Sequence, residues 1–310
     1  MTTTGSTVVA VSDRAPGEIL RRATFASLVV GLAVMGLKFV AFTLTGSVAL
    51  LSDALESIVN VVAAVAAMIA IRVALRPADE THPFGHHKAE YFSAGLEGAL
   101  ILVAAGTIFY EAVAKLSRPE PPNQLGLGLA FSVVASLANL ALALLLIRTG
   151  TRQRSPALVA DGRHVQSDVI SSFGVLIGIG LAWATGWWIL DPIVAILVAL
   201  QILWIGAKTV WGSMGGLMDE ALPAATVAEI ATTIQGSMGQ ALEFHDLRTR
   251  QAGPTTFVEF HLVVPGALPV AEAHGVCDEI ERALSERFGG AHISIHVEPE
   301  GEARHLGYER

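Results

Sequence analysis

His164 and Asp168 stand four residues apart in the block Asp161-Gly162-Arg163-His164-Val165-Gln166-Ser167-Asp168. The run that follows, from Ser172 to Leu190, carries no charge. Residues i and i+4 share one face of a helix, so the imidazole and the carboxylate lie together at or inside the mouth of a membrane segment. Ionisable groups are costly there without a partner. A divalent metal would be such a partner. Upstream, Asp53, Glu56, Ser57 and Asn60 fall at spacings of three, four and seven, again on one helical face. Combined with His164 and Asp168, they could supply four nitrogen and oxygen ligands, which suits a divalent transition metal. A second reading stays open, in which Glu56 and Asp168 each find an Arg or Lys and tie two helices together.

Two further clusters are rich in ligating groups. The stretch from Pro77 to Lys88 holds three histidines together with the carboxylates of Asp79 and Glu80, which makes a second metal site or a solvated polar loop. Toward the C-terminus lie His245, His261, His274, His292, His296 and Glu298, which include half of the ten histidines of the chain. His245 and His261 fall on adjacent strands, and His296 and Glu298 share a strand face by alternation. They read as a third metal site or as strand-surface residues.

The elements that must position these groups follow from hydropathy. The chain has 310 residues, 52% hydrophobic and only 15% charged, whereas soluble domains run close to a quarter charged. Mean hydropathy is +0.55, so the class is a polytopic membrane protein with some soluble mass. Six apolar runs approach the roughly 20 residues needed to cross a bilayer: Phe25–Leu44, Val48–Ile71, Tyr91–Leu116, Leu125–Ile147, Leu158–Trp183 and Ile189–Val210. Arg14, Arg21 and Arg22 precede the first run, Arg72, Arg76 and Lys88 follow the second, and Arg148, Arg152 and Arg154 follow the fourth. The opposite loops offer only Lys115 and Arg118, so both termini are expected in the cytoplasm. No basic region with a cleavage site opens the chain, and the first run is expected to remain in the mature protein.

The division expected is a flexible N-terminal segment over 1–20, a transmembrane domain of six helices over 21–214, a cytoplasmic domain over 215–298 and a tail over 299–310. In the cytoplasmic part, helices over Pro223–Met238 and Pro269–Phe288 alternate with strands over Phe244–Gln251, Thr255–Val264 and Ala291–Val297. The middle pair of strands is joined at Gly253-Pro254. That αββαβ order gives a small α+β, ferredoxin-like domain with its helices on one sheet face. The formal charge of −8 and the lack of a basic tract argue against nucleic acid as a partner. The single Cys277 excludes an intrachain disulfide and a cysteine-rich zinc cluster, and reads as a helix-packing residue.

Several separated motifs resemble the cation diffusion facilitator transporters, in particular bacterial zinc and ferrous-iron efflux members. They are Gly46-Ser47-Val48 with Leu55-Glu56-Ser57-Ile58-Val59-Asn60, the loop from His82 to Glu90, His164-Val165-Gln166-Ser167-Asp168, and the strand from His245 to Gly253. The resemblance runs from about Arg21 to Glu298. It implies a homodimer of inner-membrane, metallochaperone-like architecture whose protomers export a divalent cation in exchange for protons. It maps the transport site to Glu56, Asn60, His164 and Asp168, a loop site to Asp79, His82 and His86, and a cytoplasmic site to His245, His261, His296 and Glu298 with His274 as a further ligand. Glu56 and Asn60 stand where close relatives have two aspartates, Glu298 stands where they carry Asp, and Val297 replaces a polar neighbour. Lys88 and Asp219 correspond to an ion pair tying the membrane part to the cytoplasmic domain at the dimer interface. Reversing Lys88 is then expected to weaken coupling, and swapping both charges to restore it.

Imidazole with carboxylates suits Zn2+, Fe2+, Mn2+ and Co2+; the resemblance favours Zn2+, as substrate and regulatory ligand and not as a cofactor. Two other functional classes use similar ligands. A membrane metallohydrolase would need a general base beside an open coordination position, and the sequence has no His-Glu-x-x-His motif. A non-transporting metal sensor would leave Glu56, His164 and Asp168 unexplained. Lys38, Glu97 and Glu111 are open between helix-packing pairs, a proton route and surface positions.

Overall fold

The computed structural model describes residues 16–45, 48–117, 127–289 and 291–301. Gly46 and Ser47 of the first motif, Arg14, Arg118, the end of the tail and the side chains of Asp53 and Glu56 lie outside the described residues. Six long helices come first: α1 Pro16–Thr45, α2 Val48–Ala74, α3 Ala89–Leu116, α4 Leu127–Gln153, α5 Pro156–Thr185 and α6 Leu190–Leu217. Helices α1, α2, α3 and α5 each enclose one of the apolar runs, while α4 and α6 hold theirs from Leu127 and Leu190 onward. Helix α1 starts earlier than its run, inside the segment expected to be flexible. Pro16 occupies a first turn that has no use for its missing N–H, and Glu18 pairs with Arg22 one turn on. Helix α6 overruns its apolar stretch to Leu217, which carries the chain to the edge of the cytoplasmic domain.

Among the described residues, five helical stretches are long and apolar enough to cross a membrane: Gly17–Val40, Ser57–Ala74, Ala89–Leu116, Val133–Gln153 and Pro192–Leu217. The expected sixth is α5, whose first half carries Asp161, Arg163, His164 and Asp168. Leu32, Val103, Leu197 and Trp204 are among many large apolar side chains turned outward. Water would not tolerate that surface and a bilayer would.

The helices pack in two groups. Leu20, Ala67, Ile71, Leu142, Leu146, Leu158 and Val165 form a core shared by α1, α2, α4 and α5. Ile101 and Ala105 of α3 meet Ile202 of α6 in a second core, with Ile170 of α5 against it. Close approach is made possible by glycine. A Cβ on Gly98 would stand 2.9 Å from the backbone N of Val210, and one on Gly162 would stand 2.9 Å from that of Ile147. Small residues of this kind let membrane helices pack by contact where no hydrophobic drive exists.

The C-terminal part is α7 Ala224–Gly236, β1 Glu243–Ala252, β2 Thr255–Val264, α8 Val270–Phe288 and β3 His292–Pro299, the expected αββαβ order. Gly253 takes φ +54 in the two-residue turn between β1 and β2, a conformation glycine adopts without penalty. β1 and β2 pair antiparallel, β2 and β3 parallel, and α8 is the crossover a parallel pair requires. Val258, Phe260, Leu262 and Val264 of β2 face Ile230, Ile234, Val276, Cys277, Ile280 and Leu284 of the helices. Alternation then turns Phe257, Glu259 and His261 to the opposite, helix-free face. Cys277 is buried in this core, as its reading as a packing residue requires.

Candidate metal centres

The intramembrane centre joins α2 to α5. His164 Nε2 donates to Asn60 Oδ1 at 2.7 Å, and Asn60 Nδ2 donates to Asp168 Oδ2. An amide offers one acceptor and two donors, so Asn60 satisfies an imidazole and a carboxylate at once. His164 is 3% and Asp168 8% exposed. His164 Nδ1 is buried with no partner among the described residues. His164 lies eight residues inside α5, about 12 Å from its start at 1.5 Å per residue. The structure therefore brings Asn60, His164 and Asp168 together, while Glu56 lies one turn before Asn60 on α2. Ser27, Ser57 and Asn139 line a small space beside Asn60 and extend the polar surface to α1 and α4. No sequence spacing links these three, because they come from three helices.

The loop between α2 and α3 assembles Asp79, His82 and His86. Asp79 Oδ1 lies 3.4 Å from His82 Nδ1, and Asp79 Oδ2 lies 3.3 Å from His86 Nε2. Their ligating atoms all fall within 4.8 Å of one another. Hydrogen bonds from the Thr81 hydroxyl, 2.8 Å, and the His82 amide, 2.7 Å, hold the Asp79 carboxyl in place and lower its pKa to about 2. His87 is not part of the group; its pKa is pushed down by burial and then by the charges of His292 and His86.

On the helix-free sheet face, His245 of β1 and His261 of β2 pair in register, and His261 pairs with His296 of β3. Glu298 reaches all three imidazoles, at 3.4 Å from His245, 3.0 Å from His261 and 3.6 Å from His296. His274 does not join them within one chain. It sits on α8, beside Asp278 and 74% exposed, on the layer that covers the other sheet face. Asp246 does join: its carboxylate lies within 4.8 Å of ligating atoms of His245 and His261. A bulge between His245 and Arg248, with Asp246 at φ +52, brings it there. Strand alternation points a neighbour of His245 the wrong way, so only the irregularity could have revealed it.

Lys88 Nζ meets Asp219 Oδ1 at 2.9 Å, the ion pair expected between the two parts of the chain. The sequence reading missed its third member. Arg250 Nη1 lies 3.4 Å from the same Asp219 oxygen, and its guanidinium stacks 3.8 Å over the Phe257 ring. Tyr91 of α3 also donates to the Gln251 carbonyl at 3.2 Å, so the β1–β2 hairpin is anchored to the start of α3. The isolated groups divide as well: Glu97 is buried on α3 beside the Ser93 hydroxyl, whereas Glu111 is exposed. Lys38 is buried on α1.

Two family models match the chain one after the other. Residues 24–218 match the cation efflux transmembrane domain, and residues 222–300 match the cation efflux protein cytoplasmic domain, a dimer-domain family. An uncharacterized transporter of Synechocystis sp. is 46% identical over 273 residues, covering 88% of each chain. The cation-efflux pump FieF of Salmonella choleraesuis is 34% identical over 286 residues, covering 91% of this chain and 94% of that one. A solved structure of CzrB, described as a candidate zinc transporter in its Zn form, is 56% identical over 28% of this chain and 98% of that one, with a TM-score of 0.27. A buried His–Asn–Asp constellation between two long helices, a histidine-rich sheet and two adjoining family matches have one common explanation: the chain is a multi-pass membrane transporter, not an enzyme, and belongs to the cation efflux family, the cation diffusion facilitators.

Proposed function

We propose that this transporter exports Zn2+ from the cytoplasm by proton-coupled alternating access, with Fe2+, Mn2+ or Co2+ as the alternative substrate. The observation that carries the reading is the Asn60 bridge between His164 and Asp168. The same three groups that satisfy one another there can turn their donor atoms to a cation, with Glu56 as the fourth ligand. Metal capture needs a neutral imidazole and ionised carboxylates, so it displaces protons. His ordinarily titrates at about 6.5 and carboxylates at about 4, which makes His164 the group that responds to the more acidic outer side. Protons taken up there expel the metal and return inward. In this reading α5 is the sixth span, both termini are cytoplasmic, the protein sits in a bacterial inner membrane, and it works as a homodimer.

The loop group of Asp79, His82 and His86 and the sheet group of His245, His261, His296 and Glu298 then serve as regulatory metal sites on the cytoplasmic side. His274 is a ligand there only if it comes from the partner protomer. The FieF relative is named a cation-efflux pump; imidazole with carboxylate suits all four ions alike, and it is the motif resemblance that favours zinc.

Proteoliposomes with an imposed pH gradient test the reading. Zn2+ flux should follow the gradient in the wild type and vanish in Asp168→Ala and His164→Ala. Flux that survives Asp168→Ala would remove the antiport site from this position. Absent flux with retained metal binding in the wild type would favour a sensor.

A further inference from the structure

Between α3, the α4–α5 corner, α6 and the β1–β2 hairpin lies a cavity of about 400 Å³, well separated in chemistry from the metal centres. Arg154, Arg163 and Lys208 line it, and so do the hydroxyl-bearing Thr151, Thr209 and Ser213. No Asp or Glu lines it. Glu90 comes nearest in connection, since the Ser155 hydroxyl donates to it, but Glu90 is only 1% exposed and is not among the lining residues. Among the described residues, none of the three cations forms an ion pair; Arg154 only donates to the Thr256 hydroxyl at 3.3 Å. Three unneutralised cations facing one cavity repel one another, and an anion is the group that removes the conflict.

The position selects the kind of anion. Tyr91 and Arg154 link the cavity wall to the cytoplasmic domain, so it opens at the cytoplasmic boundary of the bilayer. Lys208 lies nine residues before the end of α6 at Leu217, about 14 Å inside the span. A basic residue at that depth calls for a partner that is itself held in the membrane. Ala94, Val159 and Ala160 supply an apolar wall beside the cations. We propose that this cavity binds the phosphate headgroup of an anionic phospholipid from the cytoplasmic leaflet. Because Gln251 and Gly253 of the hairpin line the same cavity, a bound headgroup ties the cytoplasmic domain to α5 and α6.

The test uses the full-length protein in nanodiscs of phosphatidylcholine, with or without phosphatidylglycerol, and counts retained lipid by native mass spectrometry. Phosphatidylglycerol should be retained in preference to phosphatidylcholine. Neutralising both span cations in Arg163→Gln/Lys208→Gln should weaken that retention about thirty-fold, given the usual contribution of each basic residue at an anionic membrane surface. Arg163→Lys/Lys208→Arg keeps the charge and should retain the lipid, as should Arg152→Gln, a cation on the same membrane face outside the cavity. Should the double glutamine variant fail to fold, Lys208→Gln alone should still weaken retention about five-fold. Inorganic phosphate added to phosphatidylcholine nanodiscs distinguishes the source. Thermal protection by phosphate in the wild type, lost in the glutamine variants, with no preference for phosphatidylglycerol, would replace the lipid by a soluble phosphate. Equal lipid retention in wild type and glutamine variants, or neither anion bound by the wild type, would overturn the site.

Discussion

Asn60 is the residue on which the intramembrane centre turns. Its amide accepts from His164 and donates to Asp168, so it holds both proposed ligands in place without adding charge. Asn60→Asp removes the donor to Asp168 and sets a second carboxylate against the first. A divalent cation then becomes the group that reconciles them. Metal affinity should rise, the ranking of Zn2+ against Mn2+ and Fe2+ should change by about ten-fold, and the pH profile of flux should shift, with thermal stability in the presence of metal little changed. Unchanged ranking and pH profile in liposome flux would remove Asn60 from the ligand set. At the loop, Asp79 is held ionised to about pH 2 by the Thr81 and His82 hydrogen bonds. Its depressed pKa means that its negative charge is present throughout the physiological range and is lost only as pH falls toward 2. Asp79 therefore keeps its charge while the proposed loop site fills or empties within that range. Thr81→Val removes the hydroxyl that contributes most to the depression, and calorimetric metal titration at pH 5 to 7 should show weaker binding to the loop with an unchanged midpoint of pH dependence.

At the scale of elements, glycine contacts hold the α3–α6 and α4–α5 pairs at their spacing. Gly98→Val places branched atoms against the Val210 backbone, and Gly162→Val does the same against Ile147. Each should lower stability by about 1–3 kcal/mol, the range for overpacking a close contact. Their functional effects should differ. Gly162 precedes His164 by two residues, so its variant should lose more flux at equal residual folding, measured by liposome transport normalised to melting temperature in detergent. The same contrast explains what could be read in advance. The β1–β2 turn, both cytoplasmic helices and the cores of the membrane helices followed from Gly253-Pro254 and from apolar periodicity, which are local properties. Helix α1 beginning at Pro16, Asp246 swinging in at a bulge and Arg250 reaching Asp219 depend on capping, backbone irregularity or contacts across many residues. Periodicity carries no information about any of these. Glu298 among three histidines was legible because strand pairing in register preserves alternation; His274, on the far layer, was not excluded by any spacing.

Asp219 is one of the points at which the two halves of the molecule meet. Asp219 takes φ +59 after α6 and accepts both Lys88 from the membrane side and Arg250 from the sheet. Arg250 in turn stacks on Phe257, which meets Phe84 edge-on in the loop between α2 and α3. Each partner of this contact is partly exposed, and a single such pair contributes no more than about 1 kcal/mol. Its worth is in geometry, since it fixes the hairpin against the start of α3. Lys88→Asp sets two carboxylates together and should loosen the junction, seen as faster amide exchange in β1 and reduced flux. The reciprocal swap, Lys88→Asp with Asp219→Lys, rebuilds that pair but leaves a lysine beside Arg250. Recovery should therefore be partial, and adding Arg250→Gln should raise it by removing the like charge. Full recovery in the double variant alone would show that Arg250 does not share the Asp219 charge in the working protein, and the junction would then depend on Lys88 and Asp219 only.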